Sequence, residues 1–160
     1  MNKKDAMKVK DGLKLKGLWR IEKYDEKGNL IETSEFENLF LNSGINEIWK
    51  LVTGNGGTAF TNSTAQIGVG DSTVAEDPTQ TDLLGTNKTY KAMDTGYPQS
   101  GTGQQAIFRA TFGGTDANYA WQEFVIKNST SGICLNRKVS NQGTKASGQT
   151  WVITVTLSLS

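Results

Sequence analysis

Residues 151–160 read WVITVTLSLS, and this stretch decides the fold class. Apolar side chains occupy every second position, and from residue 154 onward the positions between them hold only Thr or Ser. The alternating apolar residues are Trp151, Ile153, Val155, Leu157 and Leu159. Strict alternation is typical of a strand in an antiparallel sheet that packs on one face only. A final strand of this kind also offers a sheet edge to a neighbouring subunit.

Three segments upstream of this strand repeat the alternation. Residues 104–112 place Ala or Phe at every second position, and residues 120–127 and 133–139 continue in the same way. Glycine-containing turns over residues 113–116 and 142–144 interrupt the run. The pattern predicts four consecutive strands in meander or Greek-key style.

The first half of the chain also indicates strands. Residues 13–24 alternate, with Gly17 as a site where a bulge could reset the register. A charged turn separates them from a second strand over residues 30–36, which predicts a hairpin. Shorter strands are expected at residues 65–70 and 89–94.

One segment has helical periodicity instead. Its apolar positions, spaced i, i+3, i+4 and i+7, are Ile45, Ile48, Trp49 and Val52. With Ser43 as N-cap and Gly54 after the last turn, they predict a helix over residues 43–53. The apolar stripe is interpreted as packing against a sheet edge or barrel mouth, with a groove for a partner as the alternative.

A second, shorter helix is predicted in the loop that follows residue 70. Asp77 can cap it, Pro78 fits its first position, Gln80 completes a capping box and Gly85 can end it. These residues indicate a single turn of helix on the surface.

The count of seven or eight strands predicts an all-β fold, an antiparallel β-sandwich of jelly-roll or Ig-like type with one short α-helix. A length of 160 residues fits one domain, which we place at residues 13–160. Residues 1–12 lack clear periodicity and are interpreted as a flexible or partner-ordered arm. Its lysines could contact an acidic surface or belong to a solvated tail. They are Lys3, Lys4, Lys8 and Lys10.

Composition argues against several partners and compartments. A formal net charge of +1 is too small for a nucleic-acid binder. No apolar stretch matches a secretory signal or a membrane span, so neither export nor a membrane partner is expected. The lone Cys134 cannot form an internal disulfide, which suits a reducing cytoplasm, and we interpret it as a small core residue.

Catalysis has little support in the residue types present. The sequence contains no histidine, which removes the commonest general base and most zinc sites. Paired carboxylates remain, as candidates for glycoside hydrolysis, calcium binding or simple loop capping. The acidic residues in question are Asp71, Glu76, Asp77 and Asp82. We predict a protein that is not an enzyme, with no catalytic residue, cofactor or metal site.

Aromatic residues offer a further route to binding. Most of them lie in register with predicted strand or helix cores, which favours packing. Tyr90 and Tyr97 lie in a glycine-rich stretch and are predicted to be exposed contact residues.

Five short motifs resemble those of small tailed-bacteriophage virion proteins. They are NLFLNSGI at 38–45, IGVGDST at 67–73, PTQTDLL at 78–84, WQEFVI at 121–126 and LNRKV at 135–139. Together with the final strand they extend the resemblance over residues 17–160.

The resemblance implies a structural protein of the virion. The leading hypothesis is a capsid decoration (cement) protein that binds the major capsid protein or other virion proteins and stabilises the head shell. A homo-oligomer, with a trimer as candidate, would suit that role. The alternative is a tail-fibre or baseplate-associated domain that binds a host-surface glycan through Tyr90 and Tyr97. A third hypothesis is a tail-associated glycosidase that uses the carboxylates between Asp71 and Asp82.

Overall fold

The computed structural model describes residues 12–160. In this part of the chain, two antiparallel sheets of five and four strands enclose the core, and one short helix accompanies them. The predicted all-β sandwich with one short helix is therefore confirmed. Residues 1–11, and with them Lys3, Lys4, Lys8 and Lys10, lie outside the described residues, so the expected arm stays a prediction.

Residues 12–160 form nine strands, two of which contain only two residues. The elements are β1 (Leu15–Tyr24), β2 (Leu30–Glu37), α1 (Asn42–Thr53), β3 (Ala65–Gly70), β4 (Lys88–Ala92), β5 (Gln99–Ser100), β6 (Gln105–Phe112), β7 (Glu123–Asn128), β8 (Lys138–Val139) and β9 (Thr150–Leu159). The five-stranded sheet has the order β2-β1-β9-β6-β5, and the four-stranded sheet has the order β4-β3-β7-β8.

Strand β9 is central to its sheet. It pairs along its length with β1 on one side and β6 on the other, so that Val155 lies opposite both Trp19 and Phe108. The prediction that the final strand forms an edge is wrong, because both of its edges are already occupied. Its alternation is correct, since Trp151, Ile153, Val155 and Leu157 all face the core.

Gly17 has a different role from the one predicted. Pairing between β1 and β9 runs without interruption through it, and the irregularity in β1 lies at Lys23 and Tyr24 instead. A Cβ atom at Gly17 would overlap the side chain of Asn38. Asn38 accepts a hydrogen bond of 3.1 Å from the indole of Trp19, so the glycine makes room for this contact.

One core connects the two sheets. Trp19 and Ile21 of β1 meet Phe124 and Ile126 of β7, and all four are fully buried. Aromatic rings pack edge to face at its centre, where the ring centres of Trp121 and Trp151 lie 4.7 Å apart. Such pairs add about 0.5–1.5 kcal/mol beyond the burial of their apolar area.

Residues 133–139 form less of a strand than predicted. Only Lys138–Val139 forms β8. The residues before it are buried but pair singly with two different segments, Cys134 with Lys127 and Asn136 with Phe40. Here Asn136 turns inward and accepts the backbone N–H of Ile126 at 2.7 Å.

The single-turn helix predicted after Asp77 is wrong. The capping contacts do form, since Asp77 N–H donates to the Gln80 side chain and Thr79 N–H donates to the Asp77 carboxylate. The turn does not continue as a helix, because the Pro78 carbonyl accepts the N–H of Asn42 instead of a helical N–H. Further along, the N–H groups of Leu84 and Gly85 donate to the carboxylate of Glu123. The segment is a turn held by a strand residue.

Candidate interaction surface

Helix α1 begins one residue earlier than predicted and ends where predicted. Gly54 has a left-handed φ of 68°, and the next N–H, that of Asn55, donates to the Lys50 carbonyl at 3.0 Å. The predicted N-cap at Ser43 is wrong, because Leu41 occupies the cap position without a side-chain hydrogen bond. The loop compensates, since Asn42 N–H donates to the Pro78 carbonyl at 2.8 Å.

The face of α1 that docks on the sandwich is built around a glycine. Gly44 is buried, and a Cβ atom there would overlap the backbone carbonyl of Leu135. Glu47, one turn further, is 2% exposed and accepts the backbone N–H of Thr58 at 2.7 Å. Because the helix approaches by this face, its orientation is fixed by a backbone contact and a loop hydrogen bond.

The apolar stripe of α1 therefore points largely into solvent. Trp49 is 61% exposed, Val52 is 69% exposed and Ile45 is 38% exposed. Only Ile48 packs against the main core, so the prediction that the stripe covers a sheet edge is wrong for the other three. We call Ile45, Trp49 and Val52 the helix face.

An apolar groove lies beside α1 at the open end of the sandwich. We call it the end groove, and its volume is about 760 Å³. It is lined largely by carbon, from α1, β1, β6, β9 and the loops that contain residues 59–60, 104 and 135. The apolar lining residues are Leu13, Leu15, Ile48, Leu51, Ala59, Phe60, Ala106, Phe108, Leu135, Leu157 and Leu159.

The rim of the end groove is exposed to solvent, and residues of the hydrophobic core form its floor. Leu13 is 81% exposed and Leu159 is 50% exposed, whereas Phe108 and Leu157 below them are buried. The backbones of Lys14 and Ser160 exchange hydrogen bonds of 2.8 and 3.2 Å, which hold the rim in place. The side of the groove formed by the start of β1 and the end of β9 is thus held by backbone hydrogen bonds.

The two predicted contact tyrosines are both half-buried. The Tyr90 hydroxyl donates to Asp82 at 2.6 Å, and the Lys127 ammonium lies 4.5 Å from the ring centre. Burial, followed by the neighbouring Asp82, raises the pKa of Tyr90. Tyr97 packs against the main core. The expectation of an exposed pair is wrong, and the exposed aromatic is Trp49, which the sequence pattern had assigned to packing.

The carboxylates considered for catalysis or calcium are each engaged separately. Asp71 accepts the amide of Asn87, Glu76 pairs with Lys138, and Asp82 pairs with Lys127. No group of three or more His, Cys, Asp or Glu side chains that could hold a metal ion occurs within residues 12–160. These contacts are those expected of residues that cap and anchor loops.

Besides these loop carboxylates, the structure contains a buried ion pair. Arg137 and Glu123 are both fully buried, with the guanidinium 2.8 Å from the carboxylate. Arg137 also donates to the Val74 carbonyl and to the Gln80 side chain, at 3.0 and 2.8 Å. Val74 and Gln80 both belong to the loop between β3 and β4, so the ion pair anchors that loop. The guanidinium and the carboxylate are both engaged in these structural contacts.

Cys134 is fully buried beside Leu41, Leu83 and Val125, which confirms its prediction as a core residue. Burial raises the pKa of its thiol, so the reactive thiolate is disfavoured.

No helix among residues 12–160 is long and apolar enough to cross a membrane. Comparisons with protein-family models, curated proteins and solved structures find nothing that matches this chain.

Proposed function

We propose that this protein acts by binding and assembly, and that the helix face of α1 is its contact surface. The observation that carries the proposal is the exposure of Trp49 and Val52 on a helix that Gly44 fixes against the sandwich. Exposed apolar clusters mark interaction sites, and tryptophan is enriched among the residues that dominate binding energy. A rigid helix also loses little entropy on binding.

More specifically, we propose a capsid decoration protein of a tailed bacteriophage, located in the virion. The support is the resemblance of residues 17–160 to small virion proteins, together with a sandwich whose carboxylates are occupied in loop contacts. The partner would then be the major capsid protein or another protein of the head shell. The helix face would supply the apolar centre of that contact.

Binding to heads tests the proposal. Purified protein is expected to sediment with expanded empty heads of the phage, and Trp49→Ser should weaken this binding by about 30-fold, as expected for a residue that dominates an interface. Leu30→Ser is the matched control, because Leu30 is 53% exposed and lies at the start of β2, opposite Tyr24. The thermal midpoints of both variants should remain close to that of the parent.

The proposal fails if the parent protein does not bind heads, or if its removal leaves the stability of particles to heat or chelator unchanged. Equal binding by Trp49→Ser and the parent would remove the helix face from the contact. Glycan binding that is lost in Tyr97→Ala, with assembly intact, would favour the tail-associated alternative instead.

A further inference from the structure

We propose that the end groove receives the side chains of Met7 and Val9 from a second copy of this chain. Neighbouring copies would then be joined by their N-terminal segments. The inference concerns purified protein alone and does not rest on the virion role.

Strand β1 leaves the domain at the end groove. Trp19 is fully buried, Leu15 is half-buried and Leu13 is 81% exposed, so burial decreases steadily towards the start of the strand. Leu13 and Leu15 nevertheless line the groove. The chain before Leu13 therefore starts from the rim of this groove.

The apolar side of β1 continues in the sequence beyond the described residues. The core-facing residues Trp19 and Ile21 have odd numbers, as do Leu13 and Leu15. Side chains of an extended chain alternate between two faces, so residues of equal parity share a side. The odd positions 7 and 9 hold Met and Val, whereas the even positions 8, 10, 14 and 16 hold lysine.

A two-residue hairpin does not bring these residues into the groove of their own copy. Asp11-Gly12 is a turn dipeptide, and a two-residue hairpin there would place Lys10 opposite Leu13 and Val9 opposite Lys14. Lys8 and Lys10 would then face the apolar groove, and burying unpaired charge there is costly. If the chain instead stays extended, Val9 lies about 13 Å beyond Leu13, away from its own groove.

A second copy offers a matching site for the same segment. The groove is apolar and open, and methionine is suited to irregular apolar sites because its side chain is unbranched and adaptable. Docking by Met7 and Val9 leaves Lys8 and Lys10 on the outer side, in water. The alternation of the segment thus fits a groove with one apolar wall and one solvent-facing side.

Cross-linking between different copies tests the inference. One copy carries Val9→Cys, a mass-tagged second copy carries Leu159→Cys, and the mixture is treated with a short bismaleimide. Native Cys134 is fully buried and serves as an unreactive background. Mass spectrometry should find links between positions 9 and 159 that join two copies. Lys8→Cys in place of Val9→Cys is the matched control and should give several-fold fewer links.

The inference is overturned if the mixture gives no such link, or if Lys8→Cys links as well as Val9→Cys. A chain with both Val9→Cys and Leu159→Cys that links only within itself would also overturn it, in favour of docking in the same copy.

Self-association gives a second readout. In sedimentation velocity, Met7→Lys/Val9→Lys should raise the dissociation constant of the parent assembly at least about tenfold, because apolar burial at the groove is lost. Lys8→Ser/Lys10→Ser should stay within about twofold. An unchanged constant for the first variant, or a monomeric parent, would contradict the inference whatever the outcome with phage heads.

Discussion

Arg137 and Glu123 show how one pair of residues positions a long loop. Arg137 comes from the segment that leads into β8, and Glu123 opens β7, yet the remaining hydrogen bonds of their side chains all hold residues between β3 and β4. Burying two charges costs free energy that only complete hydrogen bonding offsets. The ion pair therefore serves to position the loop between β3 and β4. Removing either residue would leave the charge of the other one uncompensated in the core.

Arg137→Met should destabilise the fold by about 3–5 kcal/mol, because the Glu123 carboxylate would stay buried without its partner. Urea unfolding followed by tryptophan fluorescence measures the loss. Arg20→Met is the matched control, since Arg20 pairs with Glu35 at the surface, and it should cost at most about 1 kcal/mol. A loss below about 1 kcal/mol for Arg137→Met would show that the ion pair is not needed to hold the loop.

At the scale of the element, α1 is oriented by its smallest residue. Gly44 lets the helix backbone approach Leu135, and this contact turns Ile45, Trp49 and Val52 outward. Helix propensity alone would favour alanine over glycine by about 1 kcal/mol. Glycine at this position therefore lowers the stability of the isolated helix but permits the close approach of α1 to Leu135.

Gly44→Ala should destabilise the protein by roughly 1–3 kcal/mol in spite of the better propensity, because the added methyl forces α1 away from Leu135. Thermal and urea unfolding measure the change. Asn46→Ala is the control, since Asn46 is exposed on the same helix and its replacement should be neutral or stabilise by up to about 0.7 kcal/mol. A Gly44→Ala protein more stable than its parent would contradict the close approach.

The strands could be predicted from sequence because alternation directly reports a sheet with one buried face. Residues 105–112 and 150–159 both follow it. The orientation of α1 could not be predicted by counting apolar residues, since a glycine and a hydrogen-bonded glutamate form its buried side. Gly44 beside the apolar stripe was the available signal. Residues 135–137 were misjudged because Asn136 and Arg137 are buried by specific polar partners, which no periodicity encodes.

Across the whole molecule, hydrogen bonds hold the pKa of several carboxyl groups below the ordinary range. The Asn87 side chain lowers the pKa of Asp71, and the Lys91 ammonium lowers that of Asp116. Burial raises the pKa of Asp82, but Lys127 and Tyr90 outweigh it, so the net pKa is lowered. A folded chain with lowered carboxyl pKa values binds protons less readily than the unfolded chain. The stabilisation is complete above the unfolded values near pH 4 and is lost as pH falls through the folded ones.

Stability should accordingly fall between about pH 5 and pH 2, and Asp82→Asn and Lys127→Met should both flatten this dependence. Each variant is expected to be less stable than its parent at pH 7, with a difference that shrinks as the pH decreases. Urea midpoints measured at intervals across this range provide the comparison. A constant difference at every pH would mean that Asp82 does not contribute through its charge.

The central place of β9 sets the order in which the larger sheet can form. The β1–β2 hairpin and strand β6 are synthesised long before the strand that joins them. Until β9 has left the ribosome, Trp19 and Phe108 lack the neighbour that completes their sheet. Leu15 must then find Leu159, a pairing across nearly all of the described residues, and contacts so distant in sequence form slowly. The nascent chain thus carries uncovered sheet edges until β9 has been translated, and closure of the larger sheet waits for that strand.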